Sequence, residues 1–251
     1  PLATLTVLKD NQPIAETKTV VPVSWEISCN ICHTGEDDGG ENEDKAVSTA
    51  ADILRKHDEE HGTTLMNERP VMCGRCHAQP ALGTAGAEDV PSLSHAMHSS
   101  HAGRMDAGIL NQAGLSLSCY ACHPGKRTQC LRDVHFAKGM TCFSCHGDMN
   151  SVADETRRPW QDEPRCDGCH ERSGFEFEQA DTLFRNSKGH HGVQCASCHG
   201  SPHAIGPSVQ DADNQQAIDH QGHAGIIDTC TVCHTVAPPK GLFDHKFSSS
   251  K

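Results

Sequence analysis

The sequence predicts a chain of mostly coil and short α-helices, led by a short N-terminal β segment and packed around something other than its own side chains. Three observations point there. Only 35% of the 251 residues are hydrophobic and 4% aromatic, too few to fill the interior of a protein this long. Fifteen cysteines and 19 histidines stand out against that sparse background. Apolar–polar alternation of the kind strands need is confined to the start of the chain. The length suits one domain or two small ones. A formal net charge of −12 argues against a nucleic-acid partner, whose phosphates need a basic surface, and suits a surface that avoids anionic membranes. Apolar runs last only a few residues, so no transmembrane segment is expected.

Residues 1–24 read as the β segment. The run Leu2-Ala3-Thr4-Leu5-Thr6-Val7-Leu8 and residues 14–23 form two strands around a turn at Lys9-Asp10-Asn11-Gln12-Pro13. This is a hairpin, or the last strands of a β domain lying upstream. The opening at Pro1 without a visible leader is what a processed secreted protein, or a fragment of a longer chain, would show. Residues 35–44 are an acidic, Gly-containing loop. Ala46, Ala50, Ile53, Leu54, His57 and His61 recur at three- and four-residue spacing, which predicts an amphipathic helix over 46–61 with Gly62 as its C-cap. Residues 201–216 are a polar connection, and residues 247–251 a frayed tail. The main domain therefore spans residues 25–246.

Fourteen of the fifteen cysteines obey one rule. Cys-x-x-Cys-His occurs seven times: Cys29-Asn-Ile-Cys32-His33, Cys73-Gly-Arg-Cys76-His77, Cys119-Tyr-Ala-Cys122-His123, Cys142-Phe-Ser-Cys145-His146, Cys166-Asp-Gly-Cys169-His170, Cys195-Ala-Ser-Cys198-His199 and Cys230-Thr-Val-Cys233-His234. Two thiols at this spacing can each form a thioether to a haem vinyl group, and the next residue then offers an imidazole to the iron. Zinc or redox use of Cys-x-x-Cys needs no histidine directly after the second cysteine. All seven copies have it. Seven haem c groups, about one per 36 residues, would supply the missing core. Motif histidines 123, 146 and 170, of the third, fourth and fifth motifs, predict the tightest wrapping and a compact centre there. Thioether attachment takes place outside the cytoplasm, so a periplasmic or extracellular protein follows. Haem propionates would add negative charge, so electron uptake should be coupled to protons or cations.

Twelve histidines remain for the second axial position: His57, His61, His95, His98, His101, His135, His190, His191, His203, His220, His223 and His245. They fall into seven clusters. Six methionines compete less well for the same role, so bis-His ligation is expected. His57 and His61 project from the predicted helical stripe. His95, His98 and His101 are three residues apart and cannot all face one iron. His190 with His191, and His220 with His223, precede the last two motifs, each pair offering one ligand. His203 follows a turn after His199, and His135 and His245 stand alone. Cys130 lacks a following histidine. It reads first as a buried inert thiol; an intermolecular disulfide, an iron ligand or a long-spacer haem motif ending at Cys145-His146 are the other readings.

Across residues 25–245 the chain resembles the multihaem c-type cytochromes of bacteria that respire metals or exchange electrons outside the cell. The likeness rests on the seven motifs and on phrases such as His57-x3-His61-Gly62, Met97-His98-x2-His101-Ala102, Lys188-Gly189-His190 and Cys198-His199-Gly200-x2-His203. It implies a haem-packed multihaem cytochrome c fold, with haems in stacked and perpendicular pairs. It also tilts the choice of distal ligands towards His57, His61, His98, His101, His190, His203 and His223, with His135 as an eighth. Some relatives polymerise into extracellular filaments, and the spare histidines near the C-terminus would permit a shared ligand here.

The expected function is electron transfer, with other redox proteins or an extracellular acceptor as partners. One alternative is an oxidoreductase with one open haem acting on a small nitrogen or sulfur oxyanion. Against it, no Cys-x-x-Cys-Lys occurs, and the single tyrosine, Tyr120, lies inside a motif. The other alternative is a subunit of a conducting homopolymer.

Overall fold

The computed structural model describes residues 2–20, 26–34, 45–125, 127–173 and 175–239. The chain divides into two units. The first comprises residues 1–24, 130–145 and 163–251, and the second residues 25–129 and 146–162.

In the first unit, strands β1 (Leu2–Lys9) and β2 (Gln12–Val20) pair antiparallel. The turn is shorter than the expected five residues. Asp10 and Asn11 both take positive φ, 49° and 60°, which these two side chains tolerate, so a two-residue turn suffices. Pro13 sits opposite Leu8, where the register shifts, a position that tolerates its missing N–H. Residues 21–23 of the expected second strand, the 35–44 loop, the 247–251 tail and His245 lie outside the described residues. Leu5, Val7, Leu8 and Ile14 are all more than half exposed.

The hairpin meets helix α7 (Asp211–Gln221), whose Gln216 Nε2 donates to Thr17 Oγ1 at 3.3 Å. Gly222, at φ 85°, ends α7 by donating to the Ile218 carbonyl at 2.9 Å. Arg132 forks onto Asp213 through Nε and Nη2, and Ser208 Oγ donates to the same carboxylate at 2.7 Å. Asn214 closes this buried polar knot with two bonds to Ser208. Removing one partner strands the other's charge. Asp213→Ala is therefore expected to cost about 3 kcal/mol, read as a lower urea midpoint.

In the second unit, α1 (Lys45–His61) is the expected helix, but a different stripe is buried. Thr49, Ala51 and Asp52 are buried, whereas Ala50 and His61 are exposed. The reason is polar. Thr49 Oγ1 donates to the His33 carbonyl at 3.1 Å, and Asp52 takes the His33 imidazole. Helix α2 (Leu93–Ala102) starts on the Ser92 hydroxyl, which accepts from His95 N–H at 3.2 Å. Helix α3 (Ala107–Gln112) is capped likewise by Asp106. Leu110, Leu115 and Ala121 form a small cluster with Ile31, Met105 and Tyr120 around it. Helices α4 (Cys142–His146), α5 (Met149–Val152) and α6 (Cys195–His199) are one turn each, and the border between the units falls inside α4. Two short strands, β3 (Lys188–Gly189) and β4 (Val193–Gln194), flank His190 to Gly192 in the first unit.

Among the described residues the buried hydrophobic side chains are Ala51, Leu110, Leu115, Ala121 and Ala217, outnumbered by buried polar ones. At roughly 25 cal/mol per Å² of apolar burial, so small a set cannot offset the entropy of ordering the chain. The polypeptide is helix and coil with a two-stranded N-terminal sheet, and its own side chains make very little core.

Candidate functional site

Each Cys-x-x-Cys-His motif is a single turn. Five are 3-10 turns, at Cys29–Ile31, Cys73–Arg75, Ser118–Ala121, Cys166–Gly168 and Cys230–Val232. In each, the histidine N–H donates to the first cysteine's carbonyl at 2.8–3.0 Å. The other two are α4 and α6, each followed by a glycine of positive φ, Gly147 at 72° and Gly200 at 84°. Residues three and four apart share one side of such a turn, so both thiols and the imidazole are presented together.

Opposite the five 3-10 motifs stand second imidazoles. Ring centroids are 6.3 Å apart for His33 and His101, 6.3 Å for His77 and His57, and 6.1 Å for His123 and His98. They are 5.9 Å apart for His170 and His135 and 6.0 Å for His234 and His190. Two imidazole nitrogens each about 2 Å from one metal put the ring centroids roughly 6 Å apart. Ring planes range from 10° to 89°, so stacking does not explain the common distance.

The far nitrogens are tied back. His77 Nδ1 donates to the Pro91 carbonyl at 2.8 Å, His98 Nδ1 to Ser94 O at 2.7 Å, and His101 Nδ1 to Met97 O at 2.7 Å. His33 and His135 use carboxylates instead, Asp52 at 2.9 Å and Asp133 at 2.7 Å. His57 Nδ1 lies 2.9 Å from Thr63 Oγ1, whose own proton goes to Asp58 at 2.6 Å, so the imidazole is the donor. In a neutral ring each of these bonds keeps the proton on Nδ1 and leaves Nε2 a lone pair. Burial, with His61 and His77 nearby, lowers the His57 pKa, which favours the neutral ring.

Burial pushes the thiols of Cys29, Cys122, Cys145, Cys166, Cys195 and Cys198 up. A redox Cys-x-x-Cys instead lowers its nucleophile. Among the described residues no three His, Cys, Asp or Glu side chains converge into a protein-only metal cage. Paired thiols, a following imidazole and a second one about 6 Å across fit a haem c group held between them.

Asp58 brackets the chain after α1. Desolvation raises its pKa, but bonds from Thr63, Met66 and Leu65 outweigh this and hold it below the usual carboxylate range. A depressed folded value means the bracket contributes fully above the unfolded value, about 4, and is lost as pH falls through the folded one. Intrinsic-rate-corrected exchange of the Leu65 and Met66 amides should therefore stay slow from pH 7 to about 4 and accelerate below.

The remaining predicted residues are placed as follows. His61 is exposed, its ring 4.8 Å from His57. His203 Nδ1 lies 3.8 Å from Cys130 Sγ, and burial pushes that thiol up. His223 spends Nδ1 on the Ala224 carbonyl and has Nε2 3.4 Å from Asp228. His191 contacts His190, and His220 reaches Thr17. His146 and His199 are engaged in interactions of their own. His95, one of the twelve candidates but outside the favoured set, has a buried Nδ1 without a hydrogen-bond partner among the described residues. Two residues, Asp52 and Asp133, escaped sequence reasoning. They carry motif-level chemistry, and the Asp133-x-His135 spacing is the signal that points to the second.

This donor set fits a c-type cytochrome. Residues 148–200, about a fifth of the chain, match a family model described as cytochrome c554 and c-prime. That segment holds the fifth and sixth motifs and His190. No curated protein and no solved structure matches. The match supports a c-type cytochrome, with haem c as cofactor, electron transfer as function and redox partners. No helix among the described residues is long and apolar enough to cross a membrane.

Proposed function

We propose that the protein is a seven-haem electron carrier of the periplasm or cell exterior, with every iron held between two histidines. The observation that carries this reading is the repeated 5.9–6.3 Å spacing between a motif imidazole and a second imidazole. Cys29 and Cys32, Cys73 and Cys76, Cys119 and Cys122, Cys142 and Cys145, Cys166 and Cys169, Cys195 and Cys198, and Cys230 and Cys233 attach the cofactors. His33, His77, His123, His170 and His234 are proximal ligands, with His101, His57, His98, His135 and His190 as their distal partners. His146 and His199 complete the proximal set, and their distal ligands come from His61, His95, His203 and His223.

Bound haem supplies one-electron chemistry and fills the interior that the side chains leave. The chain's part is to hold the ligands still. Imidazoles fixed through Nδ1 would hold a bound iron from both sides in either oxidation state, so no ligand would have to move when an electron arrives. Intact-mass spectrometry of the purified holoprotein tests the count. A mass above that of the 27.0 kDa chain by seven covalent haems is expected, and any smaller number sinks the seven-haem reading.

The hairpin favours one variation on assembly. Leu5, Val7, Leu8 and Ile14 are more than half exposed on the two-stranded sheet, the kind of surface that joins copies of a chain. Native-state electron microscopy decides it: filaments support the homopolymer, and uniform small particles remove it.

A further inference from the structure

Two histidines hold Nδ1 against a carboxylate, one in each unit. In the first unit, Asp133 is 1% exposed. Its Oδ1 accepts the backbone N–H groups of His135 at 3.0 Å and Phe136 at 2.9 Å. Its Oδ2 is left to the His135 imidazole at 2.7 Å. In the second unit, Asp52 Oδ2 takes His33 Nδ1 at 2.9 Å, while Oδ1 is shared with Lys56 and lies 3.9 Å from Arg55. His77, His98 and His101 donate to neutral carbonyls instead.

A carboxylate draws the Nδ1 proton more strongly than a carbonyl does. The ring then gains imidazolate character, and Nε2 becomes the stronger donor to a metal. A stronger donor stabilises ferric over ferrous iron, which lowers the potential of that centre. The effect should be larger for Asp133, whose charge meets backbone amides, than for Asp52, whose charge is partly offset by Lys56.

We propose that Asp133 and Asp52 are positioning residues that lower the reduction potentials of the irons held by His135 and His33, giving each unit an electron-rich centre. This rests on the seven-haem reading above. An electron entering either unit would then settle on the other centres, and the carboxylate-bound ones would be the last reduced and the first oxidised.

The test is spectropotentiometry of the holoprotein, with haem content and spin state measured on the same samples. Asp133→Asn keeps the side-chain size, removes the charge and turns one acceptor oxygen into a donor, so His135 Nδ1–H loses its carboxylate. One midpoint should rise by about tenfold in its reduction equilibrium, 59 mV for one electron, with all haems still low-spin, and Asp133→Glu should restore it. Lys56 is half exposed, so Lys56→Met folds whatever happens at Asp133. It should lower one midpoint by freeing Asp52. Unchanged midpoints in either folded variant overturn the proposal. So does a high-spin haem in Asp133→Asn, which would make Asp133 a strut and no more. A wild-type protein short of seven low-spin haems would fail the carrier reading itself, before any potential is compared.

Discussion

Replacing His98 by alanine should convert one haem from low-spin to high-spin, His101→Ala should convert a different one, and the double variant should convert two. The two side chains are one helical turn apart on α2, yet each faces its own motif histidine. Their rings diverge. His98 stacks at 10° across from His123, and His101 stands at 72° to His33. Each is anchored by its own Nδ1 bond to the carbonyl four residues before it, so neither can swing over to rescue the other. The checks are ferric EPR and carbon monoxide binding to the reduced protein, which needs an open axial position. One site per single variant and two for the double is the expected result. A silent single variant would mean its ring is no ligand.

The second large effect is on folding. Cys119→Ala with Cys122→Ala should remove one haem and most of the stability of the second unit. The third motif lies beside the cluster of Leu110, Leu115 and Ala121, with Tyr120 packed against it. Even a single buried leucine deleted to alanine costs about 2–5 kcal/mol, against a whole-domain stability of about 5–15 kcal/mol. A group as large as a porphyrin, lost from a unit with so little side-chain core, should exceed that margin. Limited proteolysis should cut within residues 25–129 under conditions where the wild type resists. A six-haem protein with wild-type resistance would show that side chains carry the core after all.

The motifs, the helix over 45–61 and the N-terminal hairpin were all legible in the sequence, because each is local. Alternation over Leu2–Leu8 needs only a pleat, and Cys-x-x-Cys-His needs only one turn. The buried face of α1 was not legible, since apolar periodicity pointed to Ala50 and His61. Thr49 and Asp52 are buried instead because His33, far back in the chain, offers them hydrogen bonds. Pairing within the histidine clusters was beyond reach for the same reason. His101 faces a motif 68 positions earlier in the sequence, and His135 passes over the next motif to face His170. Spacing fixes which side of a helix a ring leaves from, not what the chain brings opposite it.

Low-temperature EPR of the fully oxidised protein, with haem content quantified in the same sample, shows whether two imidazoles close every iron. Seven low-spin ferric haems with no high-spin signal is the predicted result. A stoichiometric high-spin signal would contradict it, leaving one iron open and substrate chemistry in place of simple electron transfer.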